Sequence, residues 1–341
     1  MTVRNKKKGI DAMRLEDILD DCPLDETIFK AFLKAESKIE EHENILCSVS
    51  GGADSDIVVD ILERIGTRGK VTYVFFNTGL EYQATKKHIK ALEEKYGIKI
   101  KEAKAVKPVP LCVKKYGVPF LSKQVSEFME RLQRYDFKWE DKPFNELYAK
   151  YPKCKAALRW WCNEFDGKGK FNISRNTWLK EFIIENPPDF PISNKCCHYA
   201  KKQVAQREKD AGNYTLSITG VRKAEGGARA TAYKSCFTPI DDRHDIAEFR
   251  PIFWFKNENK KVYEEHYEIT HSECYTLWGL PRTGCSGCPF AKDFEAELEA
   301  VKKYEPKLYK AMINTFGKSY EYTRKYKEFQ KKMRAQQCIQ Q

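Results

Sequence analysis

A short apolar run, Asn44-Ile45-Leu46-Cys47-Ser48-Val49, leads into Ser50-Gly51-Gly52-Ala53-Asp54-Ser55 and then into an apolar-patterned stretch from Asp56 to Ile65. An apolar run of that length beside turn residues reads as a buried strand, and the stretch after the turn reads as a helix. Glycines between them let backbone N–H groups approach an anion closely, and the helix N-terminus adds partial positive charge. Ser50 and Ser55 can supply hydroxyl donors as well. The loop lacks the Gly-Lys-Ser/Thr ending of a Walker A loop and the G-x-G-x-x-G spacing of a dinucleotide site. An ordinary glycine turn capped by Ser or Asp is the bland alternative, and the strand–loop–helix context argues against it.

The segments that follow extend the pattern. Val71 to Phe76 reads as a second strand ending at Asn77-Thr78-Gly79, Glu81 to Tyr96 as a helix, and Ile98 to Ala105 as a third strand. Strand, helix, strand, helix, strand predicts a parallel sheet with crossovers. Tyr214 to Thr219 returns as a strand ending at Gly220, and Asp245 to Phe255 carries another. The expected class is α/β, a doubly wound parallel sheet with a helical insertion and a helical C-terminal tail. Three regions are expected: a basic N-terminal helical segment over 1–40, a nucleotide-binding domain over 41–293 with a basic, aromatic helical insertion at about 107–190, and a charged helical tail over 294–341. Helical pieces are expected at 122–135, 145–165 and 258–280.

The formal net charge of +12 suits an anionic partner, either a nucleotide or a nucleic acid. No apolar run reaches membrane-spanning length and the basic N-terminus lacks a following apolar stretch, so the expected location is the cytoplasm, with no membrane contact. Twelve cysteines without an export signal argue against a disulfide framework. Cys196 and Cys197 are adjacent, and Cys285 and Cys288 form a C-x-x-C followed by Pro289. Four thiolates suit zinc or an iron–sulfur cluster. The remaining cysteines read mainly as small buried hydrophobes. For Cys236 the readings are packing, a cluster neighbour or a sulfur carrier, with packing foremost.

S-G-G-x-D-S after a first strand resembles the PP-loop of the ATP-pyrophosphatase and adenylylsulfate/phosphoadenylylsulfate reductase superfamily, the adenine nucleotide alpha-hydrolase-like fold. Asn77-Thr78-Gly79-Leu80-Glu81-Tyr82 is similar to the D-T-G-x-x-(F/Y) segment of the reductase branch, with Asn77 where Asp is usual. Lys195-Cys196-Cys197-His198-Tyr199-Ala200-Lys201 resembles the family's K-C-C-x-x-x-K, and Gly220-Val221-Arg222-Lys223-Ala224-Glu225 with Arg229 resembles its G-x-R-(R/K)-x-(D/E)-x-x-x-R. The resemblance implies that Ser50, Gly51, Gly52, Asp54, Ser55, Asn77, Thr78, Gly79 and Gly220 form a nucleotide site. It implies that Arg222 and Arg229 fork onto the anionic end, with Lys201 beside the ligand or the cluster. It further implies a [4Fe–4S] cluster on Cys196, Cys197, Cys285 and Cys288. The bound nucleotide would be ATP with Mg²⁺ or an adenylyl sulfate.

The resemblance has limits. Sulfonucleotide reductases carry a nucleophilic cysteine in a C-terminal segment like E-C-G-(L/I)-H, whereas this chain ends Gln336-Gln337-Cys338-Ile339-Gln340-Gln341. Cys338 has no such neighbours to activate it and reads as an incidental tail cysteine. In the insertion, Lys114, Lys115, Lys123, Arg131, Arg134, Lys153, Lys155 and Arg159 alternate with Tyr116, Tyr135, Trp139, Tyr148, Tyr151, Trp160 and Trp161. That mixture suits looped or single-stranded nucleic acid, or a helical subdomain with an aromatic core and solvated lysines, and the second reading leads. The expected activity is sulfur transfer or sulfonucleotide reduction, drawing on a thiol electron donor or a sulfur-donor protein. The alternatives are ATP-dependent thiolation of tRNA or DNA, a non-catalytic nucleic-acid-binding protein with a degenerate nucleotide site, and a zinc-stabilised protein without redox chemistry.

Overall fold

The computed structural model describes residues 15–67, 69–166, 171–226, 232–242 and 244–340. The chain divides into two compact units, Met1–Val106 with Ala200–Ser286, and Lys107–Tyr199 with Gly287–Gln341.

The first unit holds the sheet. Helices α1 (Leu15–Asp20) and α2 (Glu26–Glu41) precede β1 (Ile45–Val49). Asp25 caps α2 by accepting from the backbone N–H groups of Thr27 and Ile28. Then come α3 (Ala53–Ile65), β2 (Val71–Asn77), α4 (Gln83–Tyr96), β3 (Ile100–Lys104), the helix Gln203–Gly212, β4 (Leu216–Thr219), β5 (Phe237–Thr238) and β6 (Ala247–Phe249). The strand order is β3-β2-β1-β4-β6-β5, parallel throughout except for the antiparallel β5–β6 pair. β1 is central, with Ile45 paired to Val71 on one side and to Leu216 on the other. Ile45, Leu46, Cys47 and Val49 are all buried, the run of apolar residues that a strand covered on both faces requires. The parallel α/β expectation holds, and β5 is an antiparallel edge strand that the sequence reading did not anticipate.

The second unit is helical. Its core gathers Phe120, Met129, Leu132, Phe137, Trp160, Trp161, Phe182 and Ile183. Pro152 separates the helices Phe144–Lys150 and Lys155–Trp161 by a short 3₁₀ turn, so the single helical piece expected over 145–165 is broken there. The C-terminal segment is helical over Phe294–Tyr304 and Pro306–Gln340. It is more than a charged tail, because Tyr322 and Tyr326 lie in the same core, packed against Phe120 and Phe182. Among the described residues no helix is long and apolar enough to cross a membrane.

Candidate nucleotide site

The glycine-rich loop leaves the carboxyl end of β1, and Gly220 leaves the carboxyl end of the neighbouring β4. The chain runs from β1 to β2 on one side, while β4 lies on the other, so the order reverses at β1. In open α/β sheets the crevice outside such a reversal is where ligands bind. Gly51 has φ of 67°, a left-handed conformation, and a Cβ there would come within 2.8 Å of the Thr85 side chain. A Cβ on Gly220 would lie 2.9 Å from the backbone oxygen of Asp54 and 3.2 Å from the nitrogen of Ser55. Glycine at 220 is thus what lets β4's exit run against the first turn of α3.

Within the loop, Ser55 Oγ donates to the Gly52 carbonyl at 2.8 Å, and the Ser50 and Ser55 hydroxyls are 3.2 Å apart. The Ser50 hydroxyl accepts from the Gly52 N–H at 3.3 Å. These bonds tie Ser50, Gly52 and Ser55 together and fix the backbone of the loop. Two further side chains reach it. The Tyr275 and Thr283 hydroxyls are 3.0 Å apart, and a Cβ on Gly52 would lie 3.1 Å from the first and 3.2 Å from the second. The second rim is built at the end of β2, where Asn77 Oδ1 accepts from the Gly79 N–H at 2.8 Å. Glu81 accepts from the Thr78 N–H at 3.0 Å and the Thr78 hydroxyl at 2.5 Å. Burial pushes the Glu81 carboxyl above its usual range, offset in part by the Thr78 bonds and the nearby Lys201 ammonium.

Cations converge on the loop through Asp54. Lys260 Nζ sits 2.9 Å from Asp54 Oδ1, and Arg222 Nε lies 3.0 Å from the same oxygen without hydrogen-bond alignment. Arg222 is buried, and its Nη1 donates to Asn257 at 3.1 Å. The Asp54 carboxylate is engaged by cations, so a phosphate contact from Asp54 has to come from its backbone N–H. Arg229 lies outside the described residues.

Beneath the loop is a charged layer that the sequence reading missed. Asp56, in the first turn of α3, is buried. Its Oδ2 lies 2.7 Å from His271 Nδ1 and 3.0 Å from His88 Nε2, the second contact without hydrogen-bond alignment. His271 Nε2 lies 2.7 Å from Glu264 Oε1. Burial alone lowers the His271 pKa, but the bonds to Asp56 and Glu264 outweigh it and push it up to about 9. One helical turn further along α3, the buried Asp60 accepts from the Tyr96 hydroxyl at 2.7 Å and the Tyr263 hydroxyl at 2.6 Å, and pairs with Arg64 at 2.7 Å. The available signal was Asp56 and Asp60 four residues apart, flanking the apolar run Ile57 to Val59 in α3. Lys260 and Glu264 gave none, because they look like the solvated face of a charged helix.

The cysteines divide between the units. Cys196, Cys197 and Cys288 belong to the second and Cys285 to the first. Both pairs lie within a few residues of a point where the chain passes from one unit to the other. None of the four is in a disulfide. Ser286, between the paired cysteines, donates to the Leu80 carbonyl through its N–H at 2.9 Å and its hydroxyl at 3.0 Å. Gly287, at φ of 65°, donates to Glu297 at 2.5 Å and accepts from the Tyr320 hydroxyl. Among the described residues no three Cys, His, Asp or Glu side chains are grouped as metal ligands. Cysteine thiolates are the residue type that holds iron–sulfur clusters. Cys236 lines an apolar cavity with Leu33, Pro251, Trp254 and Phe255 and packs against the first unit's core. Cys338 is exposed near the end of the helix Pro306–Gln340.

Residues 44–158 match the model of the phosphoadenosine phosphosulfate reductase domain. An uncharacterized protein of Methanocaldococcus jannaschii is 24% identical over 271 residues, which is 79% of this chain and 41% of that protein. The adenosine 5'-phosphosulfate reductase of Rhodococcus opacus is 30% identical over 95 residues, 28% of this chain and 36% of that enzyme. The chain therefore spans well under half the length of these curated relatives. Among solved structures, the phosphoadenylyl-sulfate reductase of Candida auris in a phosphate complex overlaps with a TM-score of 0.41 at 13% identity, covering 81% of this chain and 97% of that one. Through the segment that carries the loop, residues 44–158, the chain is similar to the phosphoadenosine phosphosulfate reductase domain.

Proposed function

We propose that the first unit binds an adenine nucleotide, ATP with Mg²⁺ or an adenylyl sulfate, in an enzyme of sulfur transfer or sulfonucleotide reduction. The observation that carries this reading is the approach of Gly220 to the first turn of α3 at the reversal point of the sheet. Phosphates would sit on the N–H groups of Ser50 to Ser55, with the α3 N-terminus adding its partial charge. Arg222 and Lys260 would supply cations, and Arg229 is proposed with them on the sequence resemblance. Asn77, Thr78, Gly79 and Lys201 would form the opposite rim.

Cys196, Cys197, Cys285 and Cys288 are the proposed holders of a [4Fe–4S] cluster, which would supply redox or sulfur-binding chemistry to the unit's substrate. In one branch, ATP would adenylylate an acceptor oxygen that sulfur then replaces; in the other, an adenylyl sulfate would be reduced. A tRNA or DNA acceptor and a sulfur-donor protein belong to the first branch, and a thiol electron donor to the reductive one. The decisive experiment is a binding panel on anaerobically purified protein with ATP-Mg²⁺, adenylyl sulfate and its 3′-phosphorylated form, alongside iron, sulfide and zinc analysis. One nucleotide class should bind. Binding of none defeats the nucleotide reading, and a colourless, zinc-only protein defeats the cluster.

A further inference from the structure

The layer under the phosphate loop is balanced in charge. Asp54, Asp56 and Glu264 face Arg222, Lys260 and His271 across distances of 2.7 to 3.6 Å. Both partners on the helix Asn257–His266 sit one turn apart, so Lys260 grips Asp54 directly and Glu264 grips Asp56 through His271. Asp56 is 1% exposed and its Oδ1 has no hydrogen-bond partner among the described residues. An uncompensated carboxylate there would repel phosphate from the loop above it, because it sits in the same helical turn that supplies the anion-holding N–H groups.

We propose that His271 is a positioning residue for the nucleotide: as an imidazolium bridging Asp56 and Glu264, it neutralises the floor of the phosphate loop and ties the first turn of α3 to the helix Asn257–His266. The inference rests on the nucleotide reading above and adds to it a group that touches no ligand. The groups facing His271 are Asp56 from α3, Glu264 and Lys260 from the helix Asn257–His266, His88 from α4 through the shared Asp56 oxygen, and the Tyr275 ring 5.9 Å away. The charge is present at neutral pH, since the two carboxylates hold the imidazole to about 9. The sign follows: a folded-state pKa raised above the ordinary 6.5 gives stabilisation that is complete below 6.5 and lost as pH rises through about 9.

The test measures ATP-Mg²⁺ and adenylyl sulfate binding to the full-length protein between pH 7 and 10, with melting temperature followed in parallel. Wild type should bind about tenfold more weakly at pH 10 than at pH 7.5, and His271→Gln should be about tenfold weaker at pH 7.5 and flat above it. Adding Asp56→Asn to His271→Gln removes one charge of each sign and should restore most of the affinity. A His271→Gln protein with wild-type affinity and pH profile overturns the proposal. So does a loss of affinity that the second substitution leaves unrepaired, since that marks a merely structural role. Should His271→Gln fail to fold, the wild-type profile decides, and a constant affinity from pH 7 to 10 overturns the idea. If wild type binds neither nucleotide, the nucleotide reading falls by itself. The charge balance is then read from stability: the melting-temperature gap between wild type and His271→Gln should close between pH 7 and 10, and a constant gap refutes it.

Discussion

The first unit buries charge under its loop, while the second buries rings. Around Asp60 a carboxylate, a guanidinium and two phenols satisfy one another in the interior, with Arg64 lying 3.9 Å from the centre of the Tyr267 ring. Around Trp161 the interior is Phe137, Trp139 and Trp160, and one polar bond suffices, from the indole N–H to the Glu140 carbonyl at 2.9 Å. The lysines of that region stay outside, for example Lys150 paired with Glu140. The difference teaches that mixed charge and aromatic character in a sequence has two structural solutions. A polar interior depends on every partner being present, while an aromatic one depends on volume.

Substitutions can break this contrast. The largest expected effect is Trp161→Ala, which removes a fully buried indole and should lower stability by about 4 kcal/mol in denaturant titration. Asp60→Asn should follow at about 3 kcal/mol, because Arg64 is left without its counter-charge. If a second change, Arg64→Met, recovers most of that loss, the polar interior is pairwise as described; no recovery would show that the tyrosines carry it. Gly220→Ala should lower stability by about 2 kcal/mol and weaken nucleotide binding by on the order of tenfold, since its methyl would press on the backbone of the first turn of α3. Cys338→Ser should change neither stability nor turnover, and lost turnover would return the exposed thiol to the reaction.

The sheet was legible because burial on both faces demands largely apolar runs, as in β1 and β2, while β4 alternates Leu216 and Ile218 with hydroxyl residues. The loop was legible because only glycine meets the backbone conformation at 51 and the close approach at 220. β5 is two residues long and has no period to read. His271, Lys260 and Glu264 were hidden for a different reason. A charged residue shows its partners only when distant segments come together, and Lys260 meets Asp54 across 206 positions. The four cysteines stand out in the sequence as an adjacent pair and a C-x-x-C, and spacing says nothing of how they are arranged. The insertion's aromatics were read with the core interpretation ahead, and Trp160 and Trp161 are indeed buried.

The pairing of Ile45 with Leu216 has a consequence for how the chain is made. When the ribosome has released β1, β2 and β3, one edge of β1 is still bare, and its partner strand lies more than a hundred residues away in the unmade chain. The helical unit waits longer still, because Tyr322 and Tyr326 complete its interior from the far C-terminal helix. Neither unit can close early, so an exposed apolar strand edge persists through most of synthesis, the condition under which chains pair with one another instead. Chains stopped before residue 216 should accordingly collect in the insoluble fraction, and a supply of holdase chaperone during translation should matter more to the yield of this protein than to one whose neighbouring strands are consecutive.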